Sequence, residues 1–189
     1  AMLVARDIDH VRVWSRDAEN AHRFAEREAK RHGVAVEAVA TAREAVAGAH
    51  IICTTTSARE PVLLGEWLEP GMHINAVGSS VPFTRELDSA AMAKARLYVD
   101  RRESTLNEAG DFLLAKEEGA IDDAHIRGEI GEILLGSRTG RETRDEITVF
   151  KSLGLAIEDL AAAEYIYGKA LTAGIGTAVE LGGSRHDDD

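Results

Sequence analysis

Cysteine is almost absent from this chain: Cys53 is the only one in 189 residues, which rules out an internal disulfide and makes the reducing cytoplasm the expected location. No apolar run approaches the roughly 20 residues that a membrane-spanning helix needs, and no signal peptide is recognisable. Positive charge is scarce too. Lys and Arg number 22 against 33 Asp and Glu, a net charge of −11, so neither a nucleic-acid groove nor an anionic membrane is an expected partner. The seven histidines fall without metal-ligand spacing, and no metal site is expected. Internal repeats and low-complexity linkers are absent as well. What is present, 44% hydrophobic and 29% charged residues, is the composition of an ordinary globular protein of one domain or slightly more.

Along the chain, strand-like and helix-like segments alternate, which predicts an α/β fold with a largely parallel sheet. Strands are expected at His10–Trp14, Val34–Val39, Ile51–Thr54, Met72–Val77, Leu97–Val99 and Ile147–Phe150. Ala18–His32 has helical spacing, with Lys30, Arg31 and His32 in its last turn and Gly33 as a stop. Thr41 and Glu44 have capping-box spacing and open a short helix ending near Gly48. Further helices are expected at Asp88–Ala95 and, longer and amphipathic, at Gly154–Ala173. Between residue 101 and the last strand the pattern turns helical and more polar. Ala1–Ala5 is helix-like and leads straight into a strand, whereas a doubly wound domain begins with strand, glycine turn and helix. The glycine pair Gly174-Ile175-Gly176 follows a helix, not a strand, and is a helix stop. The acidic tail His186–Asp189 is expected to fray.

The most informative stretch is His73–Ser80, an apolar strand running out into Gly78 and two serines and followed by Val81–Asp88. In an open parallel sheet the carboxyl ends of the strands face the ligand crevice. Asn75 and Val77 fall on one face by alternation, and Gly78 permits close backbone approach to a planar ring. At the end of the first expected strand, Ser15 and Arg16 offer a hydroxyl and a guanidinium suited to a 2′-phosphate, which favours NADP over NAD. The plainer alternative is that Ser15 or Asp17 caps the next helix and Arg16 is a surface charge. Thr54, Thr55, Thr56 and Ser57 line another strand end, as cofactor contacts or as a simple hydroxyl turn. Glu103 is either a ligand contact or a helix-start charge. Lys151-Ser152-Leu153-Gly154 is a turn whose backbone N–H groups could meet a ligand.

Taken in order, several motifs resemble the ornithine cyclodeaminase/mu-crystallin family across nearly the whole chain. They are Val11–Arg16, Glu60–Leu63 with Gly65-Glu66-Trp67, Pro70–Gly78, Tyr98-Val99-Asp100 with Glu103, Gly110-Asp111, Gly128–Glu132, Thr148–Gly154 and Glu158-Asp159. The resemblance implies a Rossmann-like doubly wound parallel sheet, with residues 1–154 as a partial NAD(P)-binding domain. Residues 155–189 would be a carboxy-terminal helix and tail returning to a substrate and dimerisation domain. It implies too that the family's first strand, glycine-rich phosphate loop and basic substrate-carboxylate ligands precede Ala1, so that this piece alone binds cofactor poorly and is inactive.

The resemblance further assigns Ser15, Arg16 and Asp17 to the adenosine end of NADP (alternatively NAD) and Thr54, Thr55, Thr56 and Ser57 to the ribose and phosphate path. Asn75, Ala76, Val77, Gly78, Ser79 and Leu153 go to the nicotinamide end, and Glu103 and Ser152 to the substrate. Cyclodeaminases carry an aspartate where Ser80 stands, and serine cannot act as a carboxylate base. The branch implied is therefore the mu-crystallin-like one: reduction of the C=N bond of a cyclic imino acid or ketimine, or the reverse amino-acid dehydrogenation. A cyclodeaminase-type NAD-dependent deaminase and a non-catalytic NADPH- or small-ligand-binding protein are the alternatives. A homodimer is expected of the full-length protein, with a small imino or amino acid as its substrate.

Overall fold

The structure is a computed structural model describing residues 2–179, and it divides into two compact units, Ala1–Leu153 and Gly154–Asp189. The acidic tail lies outside the described residues. The first unit begins with α1 (Met2–Ala5), β1 (His10–Val13), α2 (Ala18–His32), β2 (Ala35–Ala38), α3 (Ala42–Val46), β3 (Ile51–Thr54) and β4 (His73–Ala76). It continues through α4 (Ser89–Lys94), β5 (Arg96–Val99), α5 (Arg102–Glu108), α6 (Gly110–Glu117), β6 (Ile126–Glu129), α7 (Ile130–Leu134) and β7 (Thr148–Lys151). The second unit is built on α8 (Ala156–Ala173).

Five strands form one parallel sheet in the order β3-β4-β7-β5-β6, and β1 and β2 form a separate parallel pair. This is the parallel α/β fold that the alternating pattern predicts, in the Rossmann-like form that the family resemblance implies. Each expected strand and the longer helices are present within a residue or two. The insertion of β7 between β4 and β5 is a product of tertiary packing and has no local sequence signal. The sequence pattern does not predict β6. It is an edge strand whose Arg127 and Glu129 alternate with buried Ile126 and Gly128, so it lacks the apolar run by which a central strand is recognised.

Alternation sorts the sheet into two faces. Ile74, Ala76, Leu97, Val99, Ile126 and Val149 lie on one face, fully or almost fully buried, and pack with Leu87, Met92 and Phe112 into a single core. Burying each Ile, Leu or Val there stabilises the fold by about 1.5–3 kcal/mol. The other face carries the register row Cys53–Asn75–Phe150–Tyr98 across four strands.

Local chemistry fixes the helix starts. Asp17 caps α2 by accepting from Glu19 and Asn20 N–H, Thr41 and Glu44 form the expected capping box on α3, and Asp88 caps α4 through Ala91 N–H. In the second unit, α8 buries none of its residues and ends at Gly174, whose φ of 63° is the left-handed stop that the glycine pair predicts.

Candidate functional site

The carboxyl ends of β3, β4, β7 and β5 come together at one edge of the five-stranded sheet, because parallel strands all end on the same side. Thr54 closes β3; its Oγ1 is buried and has no hydrogen-bond partner among the described residues. Its carbonyl accepts from Val77 N–H at 3.0 Å and Gly78 N–H at 3.3 Å, which carries the β3–β4 pairing past the strand ends. Thr55 and Ser57 are exposed on this crest. Thr56 Oγ1 accepts from Ala58 N–H at 3.1 Å, the short hydroxyl turn that was one of the two expectations for this segment.

Ala76, the last residue of β4, is fully buried; beyond it Val77 is 44% exposed, and Ser80 is exposed. Ser79 is buried, and its hydroxyl donates to the Thr84 carbonyl, stapling the loop Ser80–Phe83 at its base. That loop also packs on the start of α6: a Cβ on Gly110 would overlap the carbonyls of Thr84 and Val81, so only glycine fits. Asn75 lies lower, on the open face of the sheet, where its amide faces Cys53 Sγ and Met2 Sδ, each at 3.8 Å. The solvent-reaching Cys53 still has its thiol pushed up by desolvation, against the Asn75 bond that lowers it.

A second group of residues underlies the crest, all of them buried. The Asp100 carboxylate accepts from Leu153 N–H at 2.6 Å, from Ser152 Oγ at 3.3 Å and from Arg101 N–H at 2.7 Å, tying the end of β5 to the turn after β7. Asp111 accepts from the N–H groups of Glu86 and Leu87 at 2.7 and 3.0 Å and faces Lys151 Nζ at 3.1 Å. Glu86 in turn accepts from Thr56 and Gly78 N–H. Asp100, Asp111 and Lys151 stand in the motifs quoted above and Glu86 in the stretch Val81–Asp88, yet their role is invisible in the sequence. A charged residue beside a strand end looks solvated until the fold encloses it. The one available signal is that Glu86, Asp100 and Asp111 each adjoin a core residue: Leu87, Val99 and Phe112 respectively.

Of the remaining expected residues, Ser15, Arg16 and Asp17 follow β1 in the separate two-stranded pair, and Glu103 lies on α5. Ser15 Oγ accepts from Asp17 N–H at 3.3 Å, and Asp17 serves as the α2 cap, so part of the plainer alternative is realised. Arg16 is exposed and has no side-chain partner among the described residues. Glu103 is exposed in the first turn of α5 and pairs with Arg101.

The opposite edge is held differently. His73 Nδ1 lies 2.8 Å from Thr148 Oγ1, which also accepts from Arg141 at 2.9 Å, so the threonine hydrogen is available to the imidazole. Burial lowers the His73 pKa below the ordinary histidine value, and the Arg141 charge lowers it further.

Parallel strands whose carboxyl ends come together on one side of the sheet define a Rossmann-like class of α/β domain. The chain belongs to the ornithine cyclodeaminase/mu-crystallin family, whose model matches residues 1–174. It is 42% identical over 182 residues to Delta(1)-pyrroline-2-carboxylate reductase of Bacillus cereus, covering 96% of this chain and 56% of that protein. It is 47% identical over 157 residues to mouse ketimine reductase mu-crystallin, covering 83% and 46%. Among solved structures, Thermococcus litoralis Delta(1)-pyrroline-2-carboxylate reductase, in complex with NADH and L-proline, matches with a TM-score of 0.90 and 44% identity over 94% of this chain and 55% of that one. The chain thus spans about half the length of these relatives.

Proposed function

We propose that this chain is the dinucleotide-binding part of an NADPH-dependent reductase acting on the C=N bond of a cyclic imino acid or ketimine. The observation that carries the proposal is the crest of strand ends, in a chain 44% identical over most of its length to a pyrroline-2-carboxylate reductase solved in complex with NADH and L-proline. The residues present fit such a cofactor. An orphaned buried hydroxyl on Thr54 and exposed hydroxyls on Thr55 and Ser57 suit its ribose and phosphates. The unpaired Arg16, beside Ser15, suits a 2′-phosphate, whereas a carboxylate there would repel one.

When bound, the dinucleotide supplies a hydride from nicotinamide C4 to the imine carbon. The chain's contribution is to position and exclude. Val77 and Gly78 offer a flat, partly apolar strand end for the nicotinamide, with Asn75, Ala76, Ser79 and Leu153 supporting it from below. Ser152 and Glu103 are the residues proposed for the substrate side. Ser80 brings no carboxylate to the site, which supports reduction over deaminating ring closure. The full-length protein is proposed to be a cytoplasmic homodimer, with α8 part of its substrate and dimerisation domain.

The test is NADPH oxidation by the intact protein with cyclic imino acids such as Δ1-pyrroline-2-carboxylate. Turnover with release of the corresponding amino acid is the expected result. Tight NADPH binding without turnover of any cyclic or open-chain imine would leave a binding protein and sink the reductase.

A further inference from the structure

We propose that Glu86 is a positioning residue that fixes the separation of the two crest loops on which the dinucleotide rests. The inference rests on the function proposed above, but its geometry is independent of it. Glu86 is 0% exposed and ten residues beyond the end of β4, so it touches neither cofactor nor substrate. Its carboxylate nevertheless gathers the N–H of Thr56, from the loop after β3, and of Gly78, from the loop after β4, the latter at 2.7 Å. Farther from the strand ends Asp88 Oδ1 accepts from Gly65 N–H at 2.8 Å; next to the strand ends, Glu86 is the side chain among the described residues that bonds both loops.

Glu86 can act as a strut because its own backbone is fixed from both sides. Its N–H donates to Asp111 Oδ1 at 2.7 Å, and its carbonyl accepts from Val62 and Leu63 N–H at 2.8 and 2.9 Å. Asp111 is buried against Lys151, the last residue of the central strand β7. The side chain is thus referenced to the middle of the sheet, and the loops are referenced to the side chain.

Two converging donors require an acceptor-only group. Glutamine has the same size and reach but turns an NH2 towards one of the two amides, so it keeps one bond and loses the other. The space is equally exacting: a Cβ on Gly78 would overlap both Thr56 O and Glu86 Oε1, so loop, strut and loop are in contact. Thr56 and Gly78 N–H look like anion donors on a crest, but they are already occupied by an internal carboxylate. What they provide to a ligand is position, not hydrogen bonds.

The test compares Glu86→Gln with the wild type in the intact protein, using NADPH and its 4-deuterated form with a cyclic imino acid. A displaced crest raises KM for NADPH, lowers kcat by on the order of 10–100-fold and increases the primary deuterium isotope effect, because misplacement slows hydride transfer itself. A merely structural role lowers the thermal midpoint and the amount of active protein but leaves KM and the isotope effect unchanged, and that result overturns the proposal. Should Glu86→Gln fail to fold, amide hydrogen exchange in the wild type decides: Thr56 and Gly78 amides protected like strand amides are expected, and exchange as fast as exposed loop amides overturns the strut. A wild type that neither binds nor oxidises NADPH ends the functional reading and this inference with it. Normal wild-type turnover with an unchanged Glu86→Gln enzyme overturns the strut alone.

Discussion

Lys151 Nζ stands 3.1 Å from Asp111 Oδ2, and neither side chain reaches solvent. By distance this is an ion pair, although neither atom makes an aligned hydrogen bond. Asp111 uses its other oxygen for the N–H groups of Glu86 and Leu87. Lys151→Met leaves a buried carboxylate without its counter-charge and is expected to cost about 3–5 kcal/mol in urea denaturation. The double variant Lys151→Met/Asp111→Asn keeps an acceptor for both N–H groups and removes the stranded charge, so it should recover half or more of that loss. A Lys151→Met protein within about 1 kcal/mol of wild type would show that the two backbone bonds alone sustain Asp111.

The proposed preference for NADPH rests on Arg16, which lies exposed beyond the end of β1 without a side-chain partner among the described residues. Arg16→Ala is expected to weaken NADPH binding by about 1–3 kcal/mol while barely changing NADH. Equal losses for the two cofactors, measured by fluorescence titration of the intact protein, would reduce Arg16 to a surface charge.

Ser80 lies exposed on the stapled loop after β4. Ser80→Asp supplies the carboxylate that a cyclodeaminase carries there, but not ligands to hold a diamino acid. No ammonia release from ornithine is therefore expected. Appearance of that activity in a coupled ammonia assay would mean that a single residue separates the two chemistries.

His73 makes stability depend on pH. Its pKa is lowered in the folded state by burial and by Arg141, so below about pH 6.5 the unfolded chain binds the proton more readily than the native one. Stability from this group is complete above the unfolded value and is lost as pH falls towards the lower folded one. Protonation of Nδ1 also ejects the Thr148 hydroxyl hydrogen from its acceptor. Urea midpoints of the wild type should drop more between pH 7 and pH 5 than those of His73→Gln. Parallel curves for the two proteins would remove His73 as the titrating group.

How much of the site could be read in advance differs from residue to residue. The strand ends at Thr54 and Ala76 were recognisable because a short apolar run stopped at hydroxyls or at glycine. Asn75 was expected at the crest with Val77 by alternation, yet its amide points along the open face at Cys53 and Met2. Alternation assigns a face, not a height above the sheet. The pattern groups Ser79 with the crest, and the fold turns its hydroxyl inward to Thr84. A one-dimensional pattern cannot distinguish a serine that faces a ligand from one that staples a loop.

Local chemistry settled much of this protein from its sequence alone. Apolar periodicity gave the αβ alternation, Asp17, Thr41 and Glu44 gave helix starts, Gly174 gave a helix stop, and the ordered motifs gave the family. These features depend on residues within a few positions of one another, so they survive in the sequence. Tertiary structure alone decided the strand order with β7 at the centre and the unexpected edge strand β6. It also decided that Glu86, Asp100 and Asp111 lie beneath the crest and not in solvent. Each of those outcomes joins groups far apart in the chain: Lys151 and Asp111 are forty residues apart, and Glu86 reaches thirty residues back to Thr56. Whether a carboxylate is a solvated charge or an internal strut depends on what encloses it, and the enclosing residues come from other strands.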